Sequence, residues 1–209
     1  MSTSLVLRSN DVNTTNLNRP ILVLIRGLPG SGKSYLSTAI QQLLGGPVVV
    51  LDPDATDYSS TAYTGYVQNV TAQGVDPSLH VYRFLREQAY AGITAHQIIL
   101  WNQPFTNREI FQKMTSGLIN YAINLGTTLD ILVVELGVDT AVAKERVDER
   151  KQAGGHGPSD TTFDRFTNDY VSFADEGFPT LSLDGSKDIQ ASANTVVAKI
   201  DDIVTTQTA

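Results

Sequence analysis

Short, continuously apolar runs alternate along this chain with stretches in which apolar residues recur every three or four positions. Five runs are rich in β-branched and leucine residues, a pattern typical of strands buried on both faces of a sheet. They lie at residues 21–25, 48–51, 98–101, 130–136 and 180–183. The stretches between them have the periodicity of amphipathic helices. This alternation predicts an α/β fold, with a parallel sheet covered by helices on both faces.

Two of the stretches between the strands differ in their apolar content. In 106–125 the spacing predicts a helix whose apolar stripe is Ile110, Met114, Leu118 and Tyr121. Residues 55–77 are polar and rich in tyrosine, which favours irregular or short helical structure. Further helices are predicted after the first strand, before the third, over 139–152, around 162–173 and over 189–204.

The length of 209 residues suits one domain. We expect a polar leader at 1–19, with a short strand at 5–7, followed by a single domain over 20–209. No apolar run approaches the length of a membrane span, and the leader lacks the apolar core of a signal peptide. A cytoplasmic protein without a membrane partner is therefore predicted. Its formal net charge of -7 argues against a wide surface for duplex nucleic acid, without excluding a local one.

Polar clusters follow the carboxyl ends of four predicted strands. They occupy residues 27–34, 52–54, 102–103 and 135–139. In an open parallel sheet, ligands bind outside the carboxyl ends of the strands. The order of elements therefore predicts one site at this edge of the sheet.

The first cluster satisfies the pattern G-x-x-x-x-G-K-[ST], between a buried strand and an amphipathic helix. Glycines let backbone N–H groups approach phosphate oxygens, and the helix N-terminus favours the same anion. Lys33 would contact the β- and γ-phosphates, and the Ser34 hydroxyl would bind Mg²⁺. The cofactors predicted are a purine nucleoside triphosphate, ATP, and Mg²⁺. The candidate nucleotide-binding residues are Gly27, Leu28, Pro29, Gly30, Ser31, Gly32, Lys33, Ser34 and Tyr35.

A P-loop alone does not distinguish a kinase from other nucleotide-binding proteins. The chain has no N-K-x-D stretch of the kind that reads guanine in Ras-type GTPases. Motor and AAA ATPases usually have an acid at the end of a further strand, whereas the third strand here ends in Asn102. Glu135 in the fourth strand could substitute for that acid, or it could be a helix-capping or solvated carboxylate.

Asp52 and Asp54 follow the second strand, where a carboxylate would face the γ-phosphate. Such a group could accept the proton of an attacking hydroxyl or hold Mg²⁺. Either aspartate is a candidate for the base at this point, and Asp52 together with Ser34 is the candidate metal-binding pair. The two side chains point the same way only if the strand continues, and Pro53 opposes that. The alternative is an ordinary turn that carries two aspartates.

Arg146 and Arg150 lie four residues apart on a predicted helix and so share one face. A glycine-rich segment follows, and we expect a lid around 146–165 whose arginines neutralise charge on the transferred phosphoryl group. The alternative is a solvated helix with intrahelical ion pairs. His156, in the glycine-rich segment, is given no catalytic role.

Candidates for the acceptor side come from the segments before and after the third strand. Arg83, Arg86 and Glu87 lie on the helix that precedes it, and a solvated helix face is the alternative. Tyrosines 58, 63 and 66 and Trp101 could stack on a base or sugar. For Trp101 the edge of the core is the preferred assignment.

Three stretches resemble the small P-loop kinases around zeta toxin, polynucleotide kinase and chloramphenicol phosphotransferase. These are GLPGSGKS, VVVLDPDAT and the arginine-bearing helix that runs into GGHGP. The resemblance implies a three-layer P-loop fold with strand order 2-3-1-4-5, transfer of the ATP γ-phosphate to a hydroxyl, Asp54 as base with Asp52 as fallback, and Arg146 and Arg150 in the lid. The chain departs from that group after strand three, where Trp101-Asn102-Gln103 replaces an Asp-x-Thr or Asp-Thr-Asn sequence.

The leading functional prediction is a kinase for a small-molecule hydroxyl. A kinase for polynucleotide 5′-hydroxyl ends uses the same chemistry, although the acidic net charge argues against it. A regulatory ATPase with little transferase activity is the alternative from another functional class. The missing acid after strand three favours it slightly.

Overall fold

The computed structural model describes residues 17–208, so the strand predicted at 5–7 lies outside the described residues. Five strands and seven α-helices follow one another in this part of the chain, with two short 3₁₀ turns. The strands are β1 Ile21–Arg26, β2 Val48–Leu51, β3 Ile98–Asn102, β4 Asp130–Gly137 and β5 Thr180–Asp184. The helices are α1 Lys33–Leu44, α2 Thr61–Ala72, α3 His80–Thr94, α4 Arg108–Asn124, α5 Thr140–Gln152, α6 Asp160–Asp169 and α7 Ile189–Thr208.

The strands form one parallel sheet in the order β2-β3-β1-β4-β5. The predicted fold class and strand order are therefore confirmed. β1 is central, with Val23 opposite Leu100 on one side and Leu132 on the other. Every strand points the same way, so the polar residues after β1 to β4 meet at one edge of the sheet.

Alternate residues of β1 enter two separate apolar layers, because successive side chains of a strand point to opposite faces. Val23 and Ile25 pack in a core with α1 and α7. Leu22 and Leu24 pack in a core with α3 and α4. Burial on both faces explains why the strand is a continuous apolar run rather than an alternating one.

Three sequence predictions need correction. β2 is an edge strand, and its first three residues are only half-buried rather than buried on both faces. The stretch 55–77 contains a regular 12-residue helix, α2, which begins with a hydrogen bond from the Tyr63 N–H to the Ser60 hydroxyl. Little of α2 is buried, which is why its polar sequence hid it from a search for apolar periodicity.

The third correction concerns the face of α4. Its buried residues are Phe111, Thr115, Leu118 and Ala122, so the stripe is rotated from the predicted one. Ile110 is 60% exposed, whereas the neighbouring Phe111 is completely buried. Spacing alone did not separate these two adjacent apolar residues, and the position of the sheet decides which one faces the core.

Within residues 17–208, no helix combines the length and the apolarity that crossing a membrane requires.

Candidate active site

The glycines of the P-loop lie where the chain makes its closest backbone approaches. A Cβ on Gly27 would lie 2.5 Å from the Leu136 carbonyl oxygen, and one on Gly30 would collide with the carbonyl of Ala143 in α5. Gly30 also has a φ of 86°, a region that side chains disfavour. Gly32, at φ 100°, leads directly into α1. The loop thus turns tightly between β1 and α1, packed against β4 and α5.

Lys33 is folded over this loop. Its ammonium donates hydrogen bonds to the carbonyl oxygens of Gly27 at 2.8 Å and Leu28 at 2.9 Å. Burial lowers the pKa of Lys33 from 10.5 to about 8, while the carboxylates of Asp52 and Asp54 oppose the shift. An ammonium held at a burial cost is one that a bound anion would stabilise.

A buried hydroxyl in the same loop lacks a partner. Ser31 is completely buried, and its Oγ has no hydrogen-bond partner within the described structure. A donor of this kind, beside a glycine backbone and at the start of a helix, fits an anion with several oxygens. The residues present therefore suit a polyphosphate.

Asp52 is the centre of the polar network after β2. It is 7% exposed, and its Oδ2 accepts hydrogen bonds from the Ser34 hydroxyl at 2.8 Å and from Asn102 Nδ2 at 3.2 Å. Asn102 also donates to the Ser37 hydroxyl at 2.8 Å. The first turn of α1 and the ends of β2 and β3 are thus joined through one carboxylate.

Asp54 points elsewhere. The strand ends at Leu51, and Asp52 caps a 3₁₀ turn, accepting a hydrogen bond from the Asp54 N–H at 2.9 Å. The Asp54 side chain is exposed. Its charge contributes to the raised pKa of Tyr82, behind the larger effect of burial, and opposes the lowered pKa of Lys33. Pro53 therefore separates the two carboxylates: Asp52 lies in the buried network and Asp54 is exposed.

The donor set around Ser34 suits a hard cation. Hydroxyl and carboxylate oxygens are ligands that Mg²⁺ accepts, and it commonly takes only one or two from the protein and the rest from phosphates and water. Throughout residues 17–208, no three His, Cys, Asp or Glu side chains are grouped to hold a metal ion by themselves. The geometry fits Mg²⁺ bound together with a nucleotide.

Arg146 and Arg150 share a face of α5 but have different neighbours. Arg146 Nη1 donates to the carbonyl oxygens of Gly30 at 3.2 Å and Gly185 at 3.3 Å. Arg150 lies close enough to Lys33 to contribute to its lowered pKa. Neither arginine has a carboxylate within salt-bridge distance among the described residues. The intrahelical pairs of α5 are instead those of Asp148 with Lys144, at 2.8 Å, and with Lys151, at 3.9 Å.

The segment predicted as a lid packs directly on the P-loop. Leu28 lies in a small apolar cluster with Ala143 and Val147 of α5 and Phe163 of α6. Lys144 joins the two helices through Asp160, at 2.9 Å. Any movement of α5 and α6 would therefore act on the P-loop through Leu28.

Arg26, the last residue of β1, was not among the functional residues predicted from the sequence. It is fully buried, and its Nη1 lies 2.6 Å from Glu135 Oε1. Its guanidinium is sandwiched between the rings of Tyr170 and Phe173, at 4.5 and 3.6 Å from their centroids. Glu135 is thus not a solvated carboxylate, and its role as a substitute for the acid of motor and AAA ATPases stays a prediction. It is the partner of a buried cation.

This ion pair organises the loops around it. Arg26 Nη2 donates to the Phe105 carbonyl oxygen at 3.0 Å, and Phe105 has a φ of 47°, unusual for a bulky residue. Glu135 accepts from the Ser172 hydroxyl at 2.8 Å and from the Phe173 N–H at 2.6 Å. An arginine directly before the P-loop glycine was the available signal, but its partner lies 109 residues away.

Several residues predicted for the acceptor side lie together. Arg83, Arg86 and Trp101 line one cavity of about 800 Å³, bounded by α3, the loop after β3, α4 and α6. Trp101 is 2% exposed, as expected for the edge of the core. Glu87 is exposed and does not line the cavity.

The tyrosines of α2 stack on protein rings. Tyr63 packs edge-on against Tyr58 and against Phe84 of α3, with both centroid distances 5.1 Å. Tyr66 lies 5.4 Å from Phe84. These contacts attach α2 to α3. Tyr35, on the first turn of α1, is 79% exposed.

Comparison with solved structures identifies the same architecture. The chain matches a provisionally assigned kinase from Chloroflexus aurantiacus J-10-fl (TM-score 0.60, 17% identity, 88% of this chain and 97% of that one). It also matches a gluconokinase from Sinorhizobium meliloti 1021 (TM-score 0.56, 14% identity, 91% of this chain and 98% of that one). A third match is deoxyadenosine kinase from M. mycoides with bound dATP (TM-score 0.51, 18% identity, 86% of this chain and 99% of that one). At these identities the likeness shows the fold, which is that of P-loop kinases.

No curated protein matches the chain significantly. A family model described as "AAA domain" matches residues 22–170, which include the P-loop, the Asp52 network and α5. Since the model spans well over half of the chain, the protein belongs to the AAA domain family.

Proposed function

We propose that this protein is an ATP-dependent phosphotransferase that moves the γ-phosphate to a hydroxyl group of a small molecule. The observation that carries the proposal is the position of Asp54. This exposed carboxylate lies within electrostatic reach of Lys33 in the P-loop and of Tyr82 in the wall of the large cavity. Its charge therefore acts both on the P-loop lysine and on a residue that lines a space large enough for an acceptor.

Each residue has a part in the proposed reaction. Backbone N–H groups of 27–34, Lys33 and Ser31 bind the phosphates. Asp54 accepts the proton of the acceptor hydroxyl as its oxygen bonds to the γ-phosphorus and the bond from that phosphorus to the bridging oxygen breaks. ADP leaves with that bridging oxygen. Arg150, beside Lys33, offsets charge on the transferred group.

Ser34 and Asp52 would hold Mg²⁺, which supplies positive charge to the β- and γ-phosphates when bound. Arg146 would meet the nucleotide at a different place, because its guanidinium lies over the carbonyl groups of Gly30 and Gly185. A flat cation beside the outer end of the P-loop suits stacking on the base.

The test is transfer from γ-labelled ATP into pools of small-molecule hydroxyl compounds, with nucleotide affinity measured by calorimetry. We expect Asp54→Asn to keep the parental affinity and to lose about 10²- to 10⁴-fold in turnover. Asp202→Asn removes one carboxylate from α7, whose only ion-pair partner is Lys199 in the described structure, and should leave both quantities unchanged. Parental turnover in Asp54→Asn would refute the assignment of the base.

A regulatory ATPase is the second candidate, favoured by the ending of β3 in Asn102, which hydrogen-bonds Asp52 instead of adding a carboxylate. It predicts ATP hydrolysis without any labelled acceptor. A polynucleotide kinase predicts oligonucleotide binding that weakens steeply with salt. The narrower resemblance to the group around zeta toxin and a cytoplasmic location stay predictions from the sequence.

A further inference from the structure

The cavity whose wall includes Tyr82 is lined by an unusual share of the positive charge of the chain. Arg83 and Arg86 of α3, Lys113 of α4 and Arg165 of α6 all contribute to its wall. The protein has 15 lysines and arginines in all and a formal net charge of -7. Four cationic side chains around one opening therefore create a local positive potential on a chain whose net charge is negative.

No carboxylate neutralises these four side chains. Across residues 17–208, none of them lies within salt-bridge distance of an acid, whereas Arg108 holds Asp175 at 2.9 Å and Glu176 at 2.6 Å. Asp169 is the single acidic residue in the cavity wall. Like charges gathered without partners repel one another, so a bound anion would lower their energy.

Buried donors without partners point to the same ligand. Trp101 Nε1 and Arg86 Nε are both shielded from solvent and have no hydrogen-bond partner in the described part of the chain. Both residues line the cavity. Unpaired buried donors are rare and costly, and a ligand rich in oxygen acceptors would satisfy them.

Apolar surface makes up much of the remaining wall. Tyr82, Phe166 and Ile110 line it, and the exposure of Ile110 is explained if that side chain contacts a ligand rather than the core. The volume of about 800 Å³ falls within the usual range for small-molecule sites. The wall thus offers both a flat apolar surface and guanidinium forks that match phosphate or carboxylate.

We infer that the acceptor is an anionic hydroxyl compound, with an apolar or planar body and at least one phosphate or carboxylate group. The anionic group binds at Arg83, Arg86, Lys113 and Arg165, and the hydroxyl faces Asp54. Calling this ligand the acceptor rests on the proposed function. The affinity of the cavity for the anion does not.

The chain offers a direct reporter, because Trp101 is its one tryptophan and lies in the cavity wall. Fluorescence of the full-length protein is titrated with probe pairs that differ in the anionic group. Uridine is compared with uridine 5′-monophosphate, and glucose with gluconate and with glucose 6-phosphate. The charged member of at least one pair should bind about tenfold more tightly than its neutral partner. The pairs also distinguish a phosphate from a carboxylate site.

Variants locate the effect. Arg83→Gln and Arg86→Gln should each weaken binding of the charged probe about tenfold, with little change for the neutral one. Lys199→Gln is the matched control, since it removes one positive charge from α7, in the other core layer. Thermal unfolding of each variant checks that the fold is intact. Added salt should weaken the binding of the charged probe and leave the binding of the neutral probe unchanged.

The outcomes separate the two proposals. A charge preference that persists in Lys33→Ala or Asp54→Asn supports the anion site even if no phosphate is ever transferred. Equal affinities within every pair, no response to any charged probe at millimolar concentration, or an unchanged preference in Arg83→Gln with Arg86→Gln would overturn it. Binding that requires an oligonucleotide of several residues would overturn the assignment to a small molecule.

Discussion

The hydroxyl of Ser34 donates a hydrogen bond of 2.8 Å to Asp52 Oδ2, joining the start of α1 to the end of β2. Asn102 at the end of β3 donates to the same oxygen. The two oxygens that we propose as Mg²⁺ ligands are therefore already held together by a hydrogen bond. An arrangement made in advance lowers the cost of ordering the site when Mg²⁺ and nucleotide arrive.

Replacing Asp52 by Asn should reduce affinity for Mg-ATP about tenfold or more, and affinity for ATP without Mg²⁺ much less. The reason is that the carboxylate contributes through the cation. Calorimetry with and without Mg²⁺ measures both. Ser34→Ala is the companion variant and should show the same pattern. An equal loss in the two conditions would assign Asp52 a structural role only.

Nucleotide binding should take up a proton above neutral pH. The pKa of Lys33 is lowered to about 8 by burial, and bound phosphate must raise it by stabilising the ammonium. Affinity is then fully present below pH 8 and declines as pH rises from 8 towards the higher pKa of the complex. At pH of about 8.5, most of one proton should be absorbed on binding.

Calorimetry in two buffers with different ionisation enthalpies measures that proton uptake. The matched control is Lys33→Met, in which the uptake should disappear while unrelated titrations persist. Proton uptake that is the same in the parent and in Lys33→Met would contradict the assignment.

The two arginines of α5 should have separable effects. Arg150→Ala should lower kcat about 10²- to 10³-fold with little change in nucleotide affinity, because it lies beside Lys33 where charge develops. Arg146→Ala should mainly weaken nucleotide binding, since it contacts Gly30 and Gly185. Steady-state kinetics with varied ATP separates the two. Identical losses in both parameters for both variants would contradict distinct roles.

Removing one partner of the Arg26–Glu135 pair should destabilise the fold strongly. Glu135→Gln leaves a fully buried guanidinium without its charge partner, and such changes cost about 3–5 kcal/mol. Denaturant unfolding measures the loss. The exposed pair of Lys199 with Asp202 is the control, and Lys199→Gln should cost less than about 1 kcal/mol.

The double variant Arg26→Met/Glu135→Leu adds a second test of that pair. It should be more stable than Glu135→Gln, because no charge is left buried without a partner. A loss in Glu135→Gln no larger than that in Lys199→Gln would show that the buried pair contributes little.

Local patterns in the sequence were sufficient for the five strands, for most of the helices and for the P-loop motif, but not for α2. The continuous apolar runs predicted all five strands within two residues of their observed ends. The P-loop is also local, since three closely spaced glycines and the start of the next helix form it. The strand order came from a family resemblance rather than from periodicity, and it too is confirmed.

Local patterns did not predict where the side chains at the strand ends would lie. Asp52 and Asp54 differ by two positions, yet one is buried in a network and the other is exposed. Their divergence depends on where β2 stops and on Ser34 and Asn102, which belong to other elements. The roles assigned to these residues stay predictions. The fold shows only that the residues lie at one edge of the sheet.

The sequence by itself determined the five strands, most of the helices and the P-loop motif, because these depend on interactions between near neighbours along the chain. Only the tertiary structure decided that Arg26 pairs with Glu135, that Ile110 rather than Phe111 faces the cavity, and that four cations surround one opening. The physical reason is that charge pairing and burial depend on distance in space. Residues 109 positions apart meet only after the strands have taken their order.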